Sequence, residues 1–119
     1  MSMNDEKPIF QQIIEMIEDD ILSGTYSADG LIISTPQISK LLGVNPTTAQ
    51  RAITVLTDRG IIYKKRGVGM AVTKEAKGMI LEKRRDAFFE RAIPEFIAGA
   101  RKIGISDEEL VKLLRGKLE

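Results

Sequence analysis

Residues 43–72 read GVNPTTAQRAITVLTDRGIIYKKRGVGMAV, and few folds accept that order of signals. Gly43 stands where a left-handed residue turns the chain. Asn45-Pro46 is a helix start of good specificity: an Asn that caps, then a Pro whose missing N–H costs nothing in a first turn. Ala49, Ala52, Ile53 and Leu56 follow at helical spacing and give the helix a face to bury. Thr47, Thr48 and Arg51 lie on the opposite side, with Gln50 at the border. Gly60 ends the helix. Residues 61–66 and 70–73 then read as strands around Gly67-Val68-Gly69, a hairpin with glycines at its tip and Lys64, Lys65 and Arg66 leading into it.

The residues before this stretch supply two more helices. Pro8 suits a first helical turn. Ile9, Ile13, Ile17 and Ile21 recur every four residues, and Phe10, Ile14 and Leu22 widen the same apolar stripe as far as Gly24. Glu15, Glu18, Asp19 and Asp20 are expected to face water. Residues 31–33 are expected to form a short strand. Ser34 or Thr35 caps a second, short helix with Pro36 in its first turn, and Gln37 is placed for a capping box with Ser34. A helix, a short helix, a turn, a capped helix and a basic hairpin are, in that order, the parts of a winged helix-turn-helix. The expected fold class is α+β.

Composition narrows the chemistry. The 119 residues suit one domain, or one domain with a short appendage. The chain has no cysteine and no histidine, so disulfides, thiolate metal sites and the commonest general base are all missing. No cofactor and no metal is expected. Asp19-Asp20 and Glu108-Glu109 are neighbours on exposed helical turns with no nucleophile–base arrangement beside them, so an enzyme is not expected. No apolar run reaches about 18 residues, and the polar, acidic start lacks the features of a secretory signal. The simplest expectation is a cytoplasmic chain with no membrane partner. The net charge of +1 hides an asymmetry. Residues 1–33 carry Lys7 as their only cation, whereas residues 34–73 carry Lys40, Arg51, Arg59, Lys64, Lys65 and Arg66 against Asp58 alone. A phosphate-facing surface needs a local excess of this kind.

The helix that opens at Asn45 has the residue types that read base edges. Arg51 suits guanine, Gln50 adenine, and the methyls of Thr47 and Thr48 thymine. Two helix starts, one around Ser34, Thr35 and Gln37 and one around Asn45 and Pro46, favour a phosphate through their dipoles and through the N–H groups that residues other than proline supply. Lys64, Lys65 and Arg66 can neutralise phosphates, and Gly67 and Gly69 let the backbone come close.

From Lys74 onward the pattern is helical. Phe88, Ala92, Phe96 and Ala100 form one row, with Phe89, Ile93 and Ile97 beside it. Pro94 must kink or divide this segment, because it cannot donate to the carbonyl of Glu90. Ser106 and Glu109 suggest a capping box for a last helix with Leu110, Val111, Leu113 and Leu114 on its apolar side. The expected division is a DNA-binding domain at 1–73 and a helical tail at 74–119. The tail is near the size at which a chain cannot bury enough surface alone, and its apolar rows call for a second subunit. Phe88, Phe89, Ala92, Ile93, Phe96, Ile97, Leu110, Leu113 and Leu114 are the expected dimer contacts.

Three stretches together, PIFQQIIEMIEDDILSG, ISKLLGVNPTTAQRAITVLTDRGII and KKRGVGMAV, resemble the DNA-binding domain of GntR-family bacterial transcriptional regulators. The Asn-Pro-x-Thr-x-Gln-Arg core at 45–51 and the short tail resemble the YtrA-type subfamily. The resemblance implies a homodimeric repressor on a palindromic operator in double-stranded DNA, in a subfamily whose operons often encode a membrane transporter. Pro36, Pro46 and the wing Gly67-Val68-Gly69-Met70 stand where the family often has arginine or Gly-Arg-Gly-Thr, which moves weight onto Arg51 and Arg66. A large sensor domain is not expected within these 119 residues, so any small-molecule effector is expected at the dimer interface or the tail, near Phe88, Phe89 and Phe96. The competing reading is a winged-helix module that binds a protein through the same surface. The clustered charge around Arg51 and the wing favours DNA.

Overall fold

Helix α1 (Ile9–Leu22) starts on Pro8, whose carbonyl accepts the N–H groups of Gln11 and Gln12, in the computed structural model, which describes residues 7–119. Ile13, Ile17 and Ile21 form its buried row, and Ile14 is buried beside them. Glu18 was expected in water and is instead buried, at 4% exposure. The reason is positional: it lies four residues from both Ile14 and Leu22, so it shares their row on the edge of the apolar stripe. Asp19 is exposed, Asp20 is half-buried, and Glu15 is half-buried and paired with Lys7 at 3.1 Å.

Helix α2 (Thr35–Leu42) has the expected start. The Ser34 hydroxyl accepts the N–H of Gln37, and the Gln37 side chain accepts the N–H of Ser34, a complete capping box. Gly43 ends it at φ 63°, a conformation that a Cβ disfavours. The turn is fastened from within: the Ser39 hydroxyl donates to the Val44 carbonyl at 2.6 Å, and the Val44 N–H to the Ser39 carbonyl at 3.1 Å. Helix α3 (Pro46–Asp58) follows, capped by Asn45, whose side-chain oxygen accepts the N–H of Thr47 at 2.8 Å. The short turn thus has bonds on both sides, which fixes α3 against α2.

Strands β1 (Ile62–Lys65) and β2 (Gly69–Val72) pair antiparallel, with Tyr63 opposite Ala71 and Lys65 opposite Gly69. The Val68 N–H closes the tip onto the Lys65 carbonyl, and Gly67 takes φ 74° there. The strand expected at 31–33 is reduced to a single bridge, Leu31 with Ala71. Its neighbours still bond to β2: the Ile32 N–H donates to Met70, and the Val72 N–H to Gly30. The wing is therefore held along its outer edge as well as by its partner strand.

Ile13, Ile17, Ile38, Leu56 and Ile62 are fully buried in one core shared by these elements. Each such side chain contributes about 1.5–3 kcal/mol of burial. Ala76 and Ile80, in the first turns of α4 (Ala76–Ala87), belong to the same core, and this compact unit runs to Leu81. The second compact unit is Glu82–Glu119.

In the second unit the chain stays helical through Pro94. A π turn (Phe88–Ala92) leads into α5 (Ile93–Lys102), and the Ile93 N–H donates to the Phe88 carbonyl five residues back. Widening by one residue just ahead of Pro94 absorbs the missing donor, so the segment neither breaks nor stops. Gly104 turns the chain into α6 (Asp107–Leu118), whose first turn is capped by the Ser106 hydroxyl accepting the Glu109 N–H at 3.1 Å. The architecture is α+β: three helices and a hairpin wing, then a helical tail.

Candidate nucleic-acid interface

The start of α3 and the tip of the wing carry most of the polar groups singled out in the sequence. Thr47, Gln50 and Arg51 are exposed, and Thr48 is half-buried. Ala49, Ala52, Ile53 and Leu56 face the core. The helical period thus separates a packing face from an exposed polar face.

The exposed face is organised by side-chain contacts that spacing does not show. The Thr35 hydroxyl donates to Oε1 of Gln50 at 3.0 Å, and Nε2 of Gln50 donates to Thr54 at 3.4 Å. The Arg51 guanidinium lies 3.9 Å from the ring centroid of Phe10, in the first turn of α1. Ser34, Gln37 and Asn45 use side-chain atoms on caps, and Pro46 opens α3. Asn45 accepts through its oxygen and so keeps its amide N–H groups for a ligand.

The wing is tethered at its base and open at its tip. The Tyr63 hydroxyl donates to Oδ1 of Asp29 at 3.0 Å, and this hydrogen bond holds the phenol proton above the ordinary tyrosine range. The Lys65 ammonium donates to the Asp29 carbonyl at 3.3 Å. Lys64, Arg66, Gly67 and Gly69 are exposed, with Gly69 at φ 149°. Of the expected wing cations, Lys65 is thus partly engaged, while Lys64 and Arg66 point no side-chain bond at another described residue.

Phe10, Asp29 and Tyr63 organise this surface and were not singled out as site residues from the sequence. Phe10 reads there as one more member of an apolar stripe. Asp29 reads as a loop residue, and nothing in its spacing announces a positive φ of 63° or a contact 34 residues away.

The second unit holds the other predicted set. An apolar groove of about 640 Å³ is lined by Phe88, Ala92, Ile93, Phe96, Ile97, Leu110 and Leu114. The Arg101–Asp107 ion pair, at 2.9 Å, stands among the same residues. Phe89 lies outside that lining, edge-on to Phe88 at 5.7 Å between centroids, and Leu113 lies on another side of α6 with Gly116. The structure therefore gathers seven of the nine predicted tail residues around one groove.

Three helices, a fastened turn between the second and third, and a basic two-stranded wing define a winged helix-turn-helix, a DNA-binding class. Residues 9–72 match the family described as "Bacterial regulatory proteins, gntR family". The chain belongs to the GntR family and is a DNA-binding transcriptional regulator, not an enzyme. It is similar to the HTH-type transcriptional repressor YtrA of Bacillus subtilis, 27% identical over 103 residues, covering 87% of this chain and 78% of YtrA. A GntR-family regulator from Listeria monocytogenes is 32% identical with a TM-score of 0.72, covering 96% of this chain and 98% of that one. The DNA-binding domain of AraR, solved in complex with its operator ORR3, is 26% identical with a TM-score of 0.55, covering 61% of this chain and 88% of that one. Among the described residues no helix is long and apolar enough to cross a membrane.

Proposed function

We propose that this regulator is a homodimeric repressor that binds an inverted-repeat operator, with α3 in the major groove and the wing on the adjacent backbone. The observation that carries the reading is the exposed row Thr47, Gln50 and Arg51 at the start of a helix whose opposite face is sealed into the core. That is where base-edge contacts are made in helix-turn-helix proteins. Lys64, Arg66 and the wing glycines supply phosphate contacts, and Ser34, Thr35, Gln37, Asn45 and Pro46 line the two helix starts nearby. The relatives support repression: YtrA is named a repressor, and the AraR domain was captured on an operator.

Dimerisation belongs to the tail. Phe88 at 53%, Phe96 at 49% and Leu114 at 40% exposure are too accessible for large apolar side chains in a settled surface. A second copy of the groove would cover them in a twofold arrangement, and a twofold protein reads two equivalent half-sites. The functional division is then a reading module and a pairing tail.

Selection from random duplexes, followed by footprinting, tests both parts. The expected product is an inverted repeat bound by a species that sediments as a dimer at micromolar concentration. A stable monomer, or recovery of single half-sites with full affinity, would refute the dimeric reading.

A further inference from the structure

The contact between Phe10 and Arg51 joins two residues on different helices, 41 positions apart, and it gives Phe10 a task beyond packing. From this geometry we infer that Phe10 is a positioning residue that sets the regulator's base specificity by holding the Arg51 guanidinium. The inference rests on the reading of Arg51 as a base-contacting residue.

Arg51 is exposed and, among the described residues, makes no hydrogen bond or ion pair. Its partner is the ring face, with the guanidinium carbon 3.9 Å from the centroid. The cation and the ring quadrupole attract, and at this distance the ring covers one side of the guanidinium. The N–H groups lie in the guanidinium plane, so they remain free to pair with O6 and N7 of a guanine. An unsupported arginine carries substantial rotamer freedom that is lost on docking. A stacked one begins closer to its bound geometry, and that difference enters the affinity for the right base alone.

The position of Phe10 allows both roles. It is half-buried, with part of the side chain packed on the core beside Ile13 and Ile14 and the rest available to Arg51. Leucine would preserve the apolar packing and remove the ring. Tyrosine would preserve the ring.

The experiment is a set of binding titrations on the full chain with a selected operator and a scrambled duplex, for wild type, Phe10→Leu, Phe10→Tyr, Arg51→Ala and the Phe10→Leu/Arg51→Ala pair. Thermal melts confirm that each variant is folded at the binding temperature. The expected result is that Phe10→Leu lowers the operator-to-scrambled affinity ratio by up to about 5-fold per half-site, the ceiling set by one exposed cation–π contact, with the two half-sites of a dimer multiplying. Affinity for the scrambled duplex stays the same, Phe10→Tyr retains the ratio, and Phe10→Leu has no further effect once Arg51 is gone. An unchanged ratio in Phe10→Leu, or an equal loss with and without Arg51, would overturn the inference while leaving DNA reading intact. A full ratio in Arg51→Ala would overturn the reading of Arg51 itself, and this inference with it.

Discussion

The hydroxyl of Thr35 and the amide of Gln50 are joined at 3.0 Å, tying the first turn of α2 to the outward face of α3. Because Gln50 also donates to Thr54, its amide is held from two sides before any DNA arrives. A preset amide discriminates better than a free one, since its orientation decides whether donor and acceptor match adenine.

Replacing Thr35 by Val keeps the shape and removes the donor. Stability should fall by no more than about 1 kcal/mol, as for a single exposed hydrogen bond. The base preference at the Gln50 half-site position should broaden, and selection from random duplexes with both proteins measures it. An identical selected sequence would detach Gln50 from base reading.

The fold of the first compact unit is largely legible in the sequence, and the reasons are local. Asn45-Pro46, Ser34 with Gln37, and Gly43 act through their own backbone within a few residues, so sequence spacing carries their full meaning. Glu18, Phe10 and Asp29 were misjudged or passed over because their partners are set by how elements pack. A charged residue at the edge of an apolar stripe and a phenylalanine within it look ordinary until the opposing surface is known. The π turn before Pro94 belongs to the same kind. Sequence shows that a donor is missing, while the local packing decides whether the helix widens or ends. In the tail, five residues of the two apolar rows and two of the last helix meet around one groove, but helical spacing alone does not say that Phe89 and Leu113 face elsewhere.

At the wing, anchoring and reading should separate. Arg66→Ala should weaken binding to operator and scrambled duplexes alike and reduce the salt slope by about one unit for each subunit's lost phosphate contact. Lys65→Ala should have a smaller slope change, since that ammonium already donates to the Asp29 carbonyl. Salt titrations on both duplexes measure the two quantities. A specific loss of operator preference in Arg66→Ala would place base reading in the wing.

Ile80 should matter to the reading module although it lies beyond the wing. It is fully buried in the core with Ala76, so the first turns of α4 complete that core. Ile80→Ala should cost about 2–5 kcal/mol in urea denaturation. A chain ending after Leu81 should unfold cooperatively, and one ending after Thr73 should be markedly less stable. Equal stability for the two truncations would show that α4 adds nothing to the module.

The corner between α5 and α6 should carry a pH dependence of known sign. Arg101 donates to both carboxylate oxygens of Asp107, at 3.1 and 2.9 Å, and this hydrogen bonding holds the Asp107 carboxyl below the ordinary carboxylate range. A carboxyl depressed in the folded state contributes stability above its unfolded pKa of about 3.9 and loses it as pH falls through the lower folded value. Asp107 also opens α6, where a negative charge is favoured by the helix N-terminus. Both side chains are mostly exposed, so the contribution should be small and weakened by salt. Asp107→Asn should therefore lower the melting temperature slightly at neutral pH, and the gap from wild type should close below about pH 4. Arg101→Met removes the pair and leaves the carboxylate at the helix start, so it should show a similar closing gap. Melts of the three proteins across pH check this, and a gap independent of pH would mean that packing at the corner, not the ion pair, holds α5 and α6 together.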